Sequence, residues 1–219
     1  MSGFGLYHLY KSLSRRGAAR HCEALRGTAL RGKARQEHQK SKQGRDKMKK
    51  LTVKIVGATP LLMHAYRGTE PSELRNSTPQ EQAEYHVYRD NKTQELYIPV
   101  ENIQRALISG AAYSKGKGRA SLQKSVAAGL LIEDLKLPLG TKEYTIDTRG
   151  VVIPATKGRI ERHRARLDTW STSFTAMYDE VLLSEKQVKQ IIADTGTLVG
   201  LGDFRPEKKG PYGRFNVEF

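Results

Sequence analysis

Two stretches of helical period, each set between runs of strand-like alternation, constrain the fold of this chain more than any other feature. In the first, Val100, Ile103, Leu107 and Ile108 recur at i, i+3, i+7 and i+8 behind Pro99, a residue tolerated in the first turn of a helix. In the second, Ser184 and Gln187 make a capping-box signal, Leu183, Val188, Ile191 and Ile192 supply the apolar side, and Gly196 is expected to end the helix. Leu51, Val53 and Ile55 alternate with Thr52 and Lys54 as a first strand ending at Gly57. Trp170, Thr172, Phe174, Ala176 and Tyr178 alternate with small polar residues as a half-buried strand, with Trp170 expected in the core, and Phe215, Val217 and Phe219 form the last strand. This order predicts an α+β chain with helices on one face of an antiparallel sheet, a ferredoxin-like, RRM-like βαββαβ core carrying insertions.

The segments between are less regular. Residues 58–80, with Pro60, Gly68, Pro71 and Pro79, read as a long loop after the apolar patch Leu61-Leu62-Met63. Residues 85–98 read as a hairpin turning at Asp90-Asn91-Lys92-Thr93. A further helical stretch is expected over residues 120–132, with Leu122, Val126, Leu130 and Leu131 on one side. Residues 133–168 look like short strands and a long arm, whose basic run includes Lys157, Arg159, Arg162, Arg164 and Arg166.

Charge divides the chain unevenly. The formal net charge is +15, yet twelve basic against three acidic side chains precede residue 48, so that segment carries +9 of it. Residues 11–47 show no sustained period and are expected to be disordered or to fold only on a partner. We therefore read residues 1–47 as a basic tail, with Met48 as the natural start, and 48–219 as a single α+β domain with a basic insertion at about 133–168. A genuine basic arm that binds nucleic acid is the competing reading of the tail. The one cysteine, Cys22, excludes an internal disulfide and a multi-thiolate zinc site and suits a reducing cytosol. No stretch approaches the roughly 20 apolar residues of a membrane span, so the expectation is a cytoplasmic chain with no membrane partner.

Signals for catalysis are poor. Residues 110–117 resemble a phosphate-binding loop but hold one residue too many between the glycines and place Gly118 where Ser or Thr should hold magnesium. Gly200-Leu201-Gly202 lacks the third glycine of a dinucleotide fingerprint and precedes a strand. His64, His86 and His163 show no metal-ligand spacing, so no metal and no cofactor is expected. His64, with Tyr66 and Arg67 nearby, could form an acid–base RNA-cleaving group, but no residue is assigned as catalytic. Asp147, Asp168 and Asp203 are isolated carboxylates expected to satisfy turns.

Signals for binding a polyanion are better. Three glycine-punctuated basic segments surround the expected core, and they supply Lys115, Lys117 and Arg119, then Arg159, Arg162 and Arg164, then Arg205, Lys208, Lys209 and Arg214. Arginine clamps phosphates bidentately and lysine supplies point charge. In the last segment Gly200, Gly202, Gly210 and Gly213 permit close approach of backbone to phosphate, and Tyr212, between Pro211 and Gly213, is expected to be exposed and to stack on a base. Tyr113 and Phe204 are further stacking candidates.

Three of these pieces resemble the RAMP superfamily of CRISPR systems. Leu51 to Leu61 looks like its opening strand and Thr-Pro-Leu turn, Ile98-Pro99-Val100-Glu101-Asn102-Ile103 like its Ile-Pro-initiated helix, and Gly200-Leu201-Gly202, Arg205, Gly210 and Gly213-Arg214-Phe215 like its C-terminal glycine-rich loop. Two departures stand out: Val100-Glu101-Asn102 replaces the common Gly-Ser-Ser, and Pro206 to Lys209 lengthen the loop. The resemblance implies a ferredoxin-like RNA-recognition core with the hairpin around 144–166 as a finger or thumb. It also implies a non-catalytic backbone subunit that associates with itself or with other subunits along a guide RNA. Its partner would be single-stranded RNA, or DNA, bound with little sequence preference. A metal-independent, guide-processing type of endoribonuclease using His64 or His86, and a phage structural or assembly protein, are the alternatives.

Overall fold

The computed structural model describes residues 48–116, 120–152 and 156–219. The expectations for residues 1–47, and for Lys117 and Arg119, lie outside the described residues.

The core is the expected βαββαβ arrangement. Strand β1 (Met48–Gly57) is followed by helix α2 (Val100–Gly110), strands β4 (Leu130–Ile132) and β8 (Ser171–Asp179), helix α4 (Glu185–Asp194) and strand β9 (Phe215–Glu218). The four strands form one sheet in the order β4-β8-β1-β9, which puts the first and third core strands in the centre, as a ferredoxin-like sheet requires. β9 runs antiparallel to β1, with Ile55 opposite Val217, and β4 antiparallel to β8, with Leu130 opposite Tyr178. The Gly57 N–H donates to Trp170 O at 2.8 Å, closing the end of β1 against the entry to β8.

The sequence periods explain the layers. Ile103 and Leu107 of the expected α2 stripe are buried, with Ala106 beside them, while Val100 and Ile108 are half-buried, and Val188, Ile191 and Ile192 of α4 are buried as expected. The buried side chains join Val53, Ile55, Phe174, Ala176 and Tyr178 of the sheet, with Trp170, in one core. The Ser184–Gln187 capping box is complete in both directions. Helix α4 does not stop at Gly196. Thr195 donates its hydroxyl to Ile191 O at 2.6 Å, and a π turn over Thr195–Val199 carries the chain on to Gly200. Gly196 instead makes room for β9, because a Cβ there would lie 2.3 Å from Phe215 O.

Other elements differ from expectation. Helix α3 covers only Gln123–Gly129, and Leu130 to Ile132 leave it as β4 because their backbone groups pair with β8. The region 58–80 is not all loop. Leu61–Met63 form a buried strand, β2, Ser72–Asn76 a 3-10 turn, and Pro79–Tyr85 helix α1, capped by Thr78 and Glu81. The hairpin over 85–98 shrinks to an isolated Arg89–Leu96 bridge, while β3 (Tyr97–Pro99) pairs with β5 (Lys136–Pro138).

The basic arm is a two-stranded hairpin. β6 (Thr145–Val152) and β7 (Arg159–Leu167) pair from Thr145–Arg166 to Val152–Arg159, and β2 adds to the other edge of β7. No helix among the described residues is long and apolar enough to cross a membrane.

Candidate functional site

The Thr59-Pro60-Leu61 turn, the start of α2 and the C-terminal glycine loop, far apart in sequence, meet at one place. Arg214 N–H donates to Thr59 Oγ1 (2.9 Å), Gly213 N–H to Pro60 O (2.8 Å) and Asp203 N–H to Leu62 O (2.8 Å). The loop is therefore stitched to β2 and to the turn before it. A cavity of about 240 Å³ lies between these segments, lined by Leu61, Leu62, His64, Ile98, Asn102, Arg105, Gly200 to Asp203 and Arg205 among others. Asn102 and Arg105 lie one turn apart on α2, a spacing that places both on one face. Neither stands out in the sequence, where both fall off the apolar stripe of an amphipathic helix.

The hairpin joins the same assembly through its paired face. Residues directly opposite in an antiparallel ladder project to one side, so Asp147 with Arg164 and Arg149 with Arg162 share a face. Arg164, 9% exposed, donates its Nε–H to Asp203 Oδ2 at 2.6 Å. The Arg149 guanidinium is bound to Asp147, donates to the Tyr212 hydroxyl, and lies 4.7 Å from the Tyr212 ring centre and 5.9 Å from that of Phe204. Arg162 donates to Glu70 Oε1 at 2.7 Å. Asp147 and Asp203 are thus ion-pair partners of arginines, and Asp203 also accepts from the Phe204 N–H in the turn role expected of it.

The structure sorts the expected phosphate ligands into two groups. Arg162, Arg164 and Arg205 hold Glu70, Asp203 and Glu207, and Arg214 donates to Thr197 O. Lys115, at an isolated bridge with Ser121, Arg159 at the start of β7, and Lys208 and Lys209 at the loop tip are exposed. Among the described residues these four form no ion pair.

Tyr212, expected to be exposed, is buried, because Arg149 covers its ring and caps its hydroxyl. Phe204 beside it remains 38% exposed and Tyr113 is exposed. The glycine loop spends its backbone on its own folding more than expected. Gly200, Leu201, Gly210 and Gly213 all donate their N–H groups to carbonyls of the protein.

Behind the cavity the fold brings together three groups that the sequence spacing does not connect. The His64 and His86 ring centres are 4.0 Å apart, and His86 Nε2 is 3.2 Å from Glu70 Oε1. Burial, then the neighbouring His86, pulls the His64 pKa down to about 4, so its imidazole is neutral at physiological pH. Only the tertiary structure reveals this grouping, since Glu70 comes from an irregular segment and His86 from the end of α1.

No protein-family model and no curated protein matches the chain. Among solved structures, the chain is similar to one in the cryo-EM structure of the type III-B Cmr-beta bound to cognate target RNA, at 13% identity and a TM-score of 0.50 over 86% of its own length. It spans 65% of that protein's length. It also aligns with Cmr6 from Pyrococcus furiosus at 11% identity and a TM-score of 0.43, covering 77% of this chain and 97% of that one. The first likeness, together with the β4-β8-β1-β9 order, gives the chain a ferredoxin-like α+β fold shared with a Cmr protein.

Proposed function

We propose that this chain is a non-catalytic, sequence-tolerant single-stranded RNA-binding subunit of a ribonucleoprotein of the CRISPR effector kind, which contacts further subunits along the RNA. The observation that carries the reading is the convergence of the Thr-Pro-Leu turn, the α2 start and the glycine loop on one cavity, with the basic hairpin locked to it by Arg164 and Asp203. The shared fold supports it, as does the RNA bound to the Cmr-beta neighbour.

Contact with phosphates falls to side chains, because the loop amides named above are spent inside the protein. Lys115, Arg159, Lys208 and Lys209 supply that charge, while Arg105 and Arg205 line the cavity. Phe204 offers the aromatic face that Tyr212 does not, and base stacking of this kind tolerates any sequence.

Replacing Arg159, Lys208 and Lys209 together by Gln is expected to flatten the log–log salt dependence of RNA binding by about 2, at roughly 0.7 for each phosphate no longer neutralised on a single strand. Fluorescence anisotropy with an unstructured RNA, across a salt series, measures it. An unchanged slope refutes the assignment of these three side chains. Site-specific cleavage of hairpin RNA in chelator, abolished by His64→Ala, would instead establish the endoribonuclease.

A further inference from the structure

We propose that His64, His86 and Glu70 form a binding site for a zinc-like divalent cation. Their ligand atoms already lie within 4.8 Å of one another. Two ligands on one tetrahedral zinc, at about 2.0–2.1 Å each, sit about 3.4 Å apart. The three groups therefore need only small side-chain rotations to close on an ion.

The hydrogen bonding around His86 makes the case specific. Its Nδ1 is 2.8 Å from Ala65 O, and a carbonyl can only accept, so Nδ1 carries the proton. In the neutral ring Nε2 is then a lone pair, and it faces a Glu70 carboxylate oxygen at 3.2 Å. Two acceptors so placed repel unless a positive charge lies between them, either a proton or a metal ion. A ring nitrogen oriented by a backbone carbonyl is also the usual outer support of a metal-bound histidine. Ala65 is itself fixed, because its N–H donates to His86 O at 2.7 Å.

His64 supplies the second nitrogen. Its Nδ1 is buried and has no hydrogen-bond partner among the described residues, an arrangement that costs free energy in the absence of a ligand. A neutral imidazole nitrogen of this kind is a metal-binding lone pair. Glu70 Oε1, the oxygen that faces His86 Nε2, also accepts from Arg162, and a carboxylate oxygen has lone pairs for both. Arg162 also weakens the site by its charge, so a tight-binding soft or borderline ion is favoured over a hard one. Two imidazoles and one carboxylate suit Zn²⁺ or Co²⁺, whereas Mg²⁺ prefers an all-oxygen, water-rich shell.

The test uses the full chain, stripped with chelator and titrated with Co²⁺, which reports four-coordinate nitrogen and oxygen ligation by an intense visible absorption. One equivalent is expected to bind with that spectrum, to be displaced by Zn²⁺ but not by millimolar Mg²⁺, and Zn²⁺ is expected to raise the Tm. Glu70→Gln and His64→Gln are each expected to weaken Co²⁺ binding by at least about tenfold, since even the outer partners of metal ligands are worth 10–100-fold. His8, His21, Cys22 and His38 are retained in every variant. Metal bound elsewhere would therefore leave wild type and variants equal, and that equality overturns the proposal. So does displacement by Mg²⁺, which marks a hard-cation site, or a stripped protein that takes up no Co²⁺, which identifies the His86–Glu70 contact as a plain ion pair.

Discussion

Gly213→Ala is expected to cost about 3–4 kcal/mol, because an alanine there must hold a left-handed backbone and also displace a neighbouring carbonyl. Gly213 has φ +70°, and a Cβ on it would lie 1.8 Å from Leu201 O. That carbonyl cannot retreat freely, since the Leu201 N–H donates to Gly213 O at 2.9 Å and the Gly213 N–H is held by Pro60 O. In a domain of this size each kcal/mol moves the Tm by about 2–4 °C, so a fall of roughly 6–16 °C is expected in calorimetry. Gly68 provides the control. It has φ +79° but no atom within 4 Å of where a Cβ would stand, so Gly68→Ala should cost only the backbone term of about 1 kcal/mol. Equal losses in the two variants would refute the close packing of the glycine loop against Leu201. The result also bears on function, because the loop that fails is the one that closes the cavity beside β2 and α2.

The second large effect is expected at the Arg164–Asp203 pair. Breaking a buried ion pair from one side strands the other charge, at about 3–5 kcal/mol when both groups are fully buried. Here the Arg164 side chain is 11% exposed but that of Asp203 is 34% exposed, so solvent screening brings the expected cost of Asp203→Ala down to about 2 kcal/mol. Arg164→Met leaves no buried charge and should cost less. The double variant should then lose less than the sum of the two, with a coupling of about 1 kcal/mol or more in urea unfolding. Additive losses would mean that the pair is already solvated. On the functional reading, Asp203→Ala and Arg164→Met remove the same tie between the hairpin and the glycine loop, and each should weaken RNA binding, while Arg149 and Tyr212 still join the two segments.

The element order and the helix faces are legible because they follow from local periods. Val100 to Ile108 and Leu183 to Ile192 are apolar at helical spacing, and an alternating run such as Trp170 to Tyr178 can bury only one side of a sheet. The Thr78-Pro79-Gln80-Glu81 capping box is equally readable, yet the prolines around it point to a loop, and only the structure shows helix α1. Leu130 to Ile132 fit a helix by spacing, and only the availability of β8 as a pairing edge makes them a strand. Tyr212 illustrates the limit of local reading. A tyrosine between proline and glycine is expected in water, but Arg149, 63 residues earlier, reaches across to cover it.

The sequence by itself determined the ferredoxin-like order, the amphipathic faces of α2 and α4, and which segments carry surplus positive charge. Those properties depend on neighbours within about four residues along the chain, where side-chain direction follows from backbone period alone. Only the tertiary structure decided which charges remain available. Arg162, Arg164 and Arg205 are neutralised by Glu70, Asp203 and Glu207, while Lys115, Arg159, Lys208 and Lys209 are left exposed. It also decided that His64, Glu70 and His86 share one site. Ion pairs and ligand clusters act over a few ångströms through space, and two of the three carboxylates come from elements distant in the chain from the arginines they hold, so their partners are set by the packing of the layers and not by spacing along the chain.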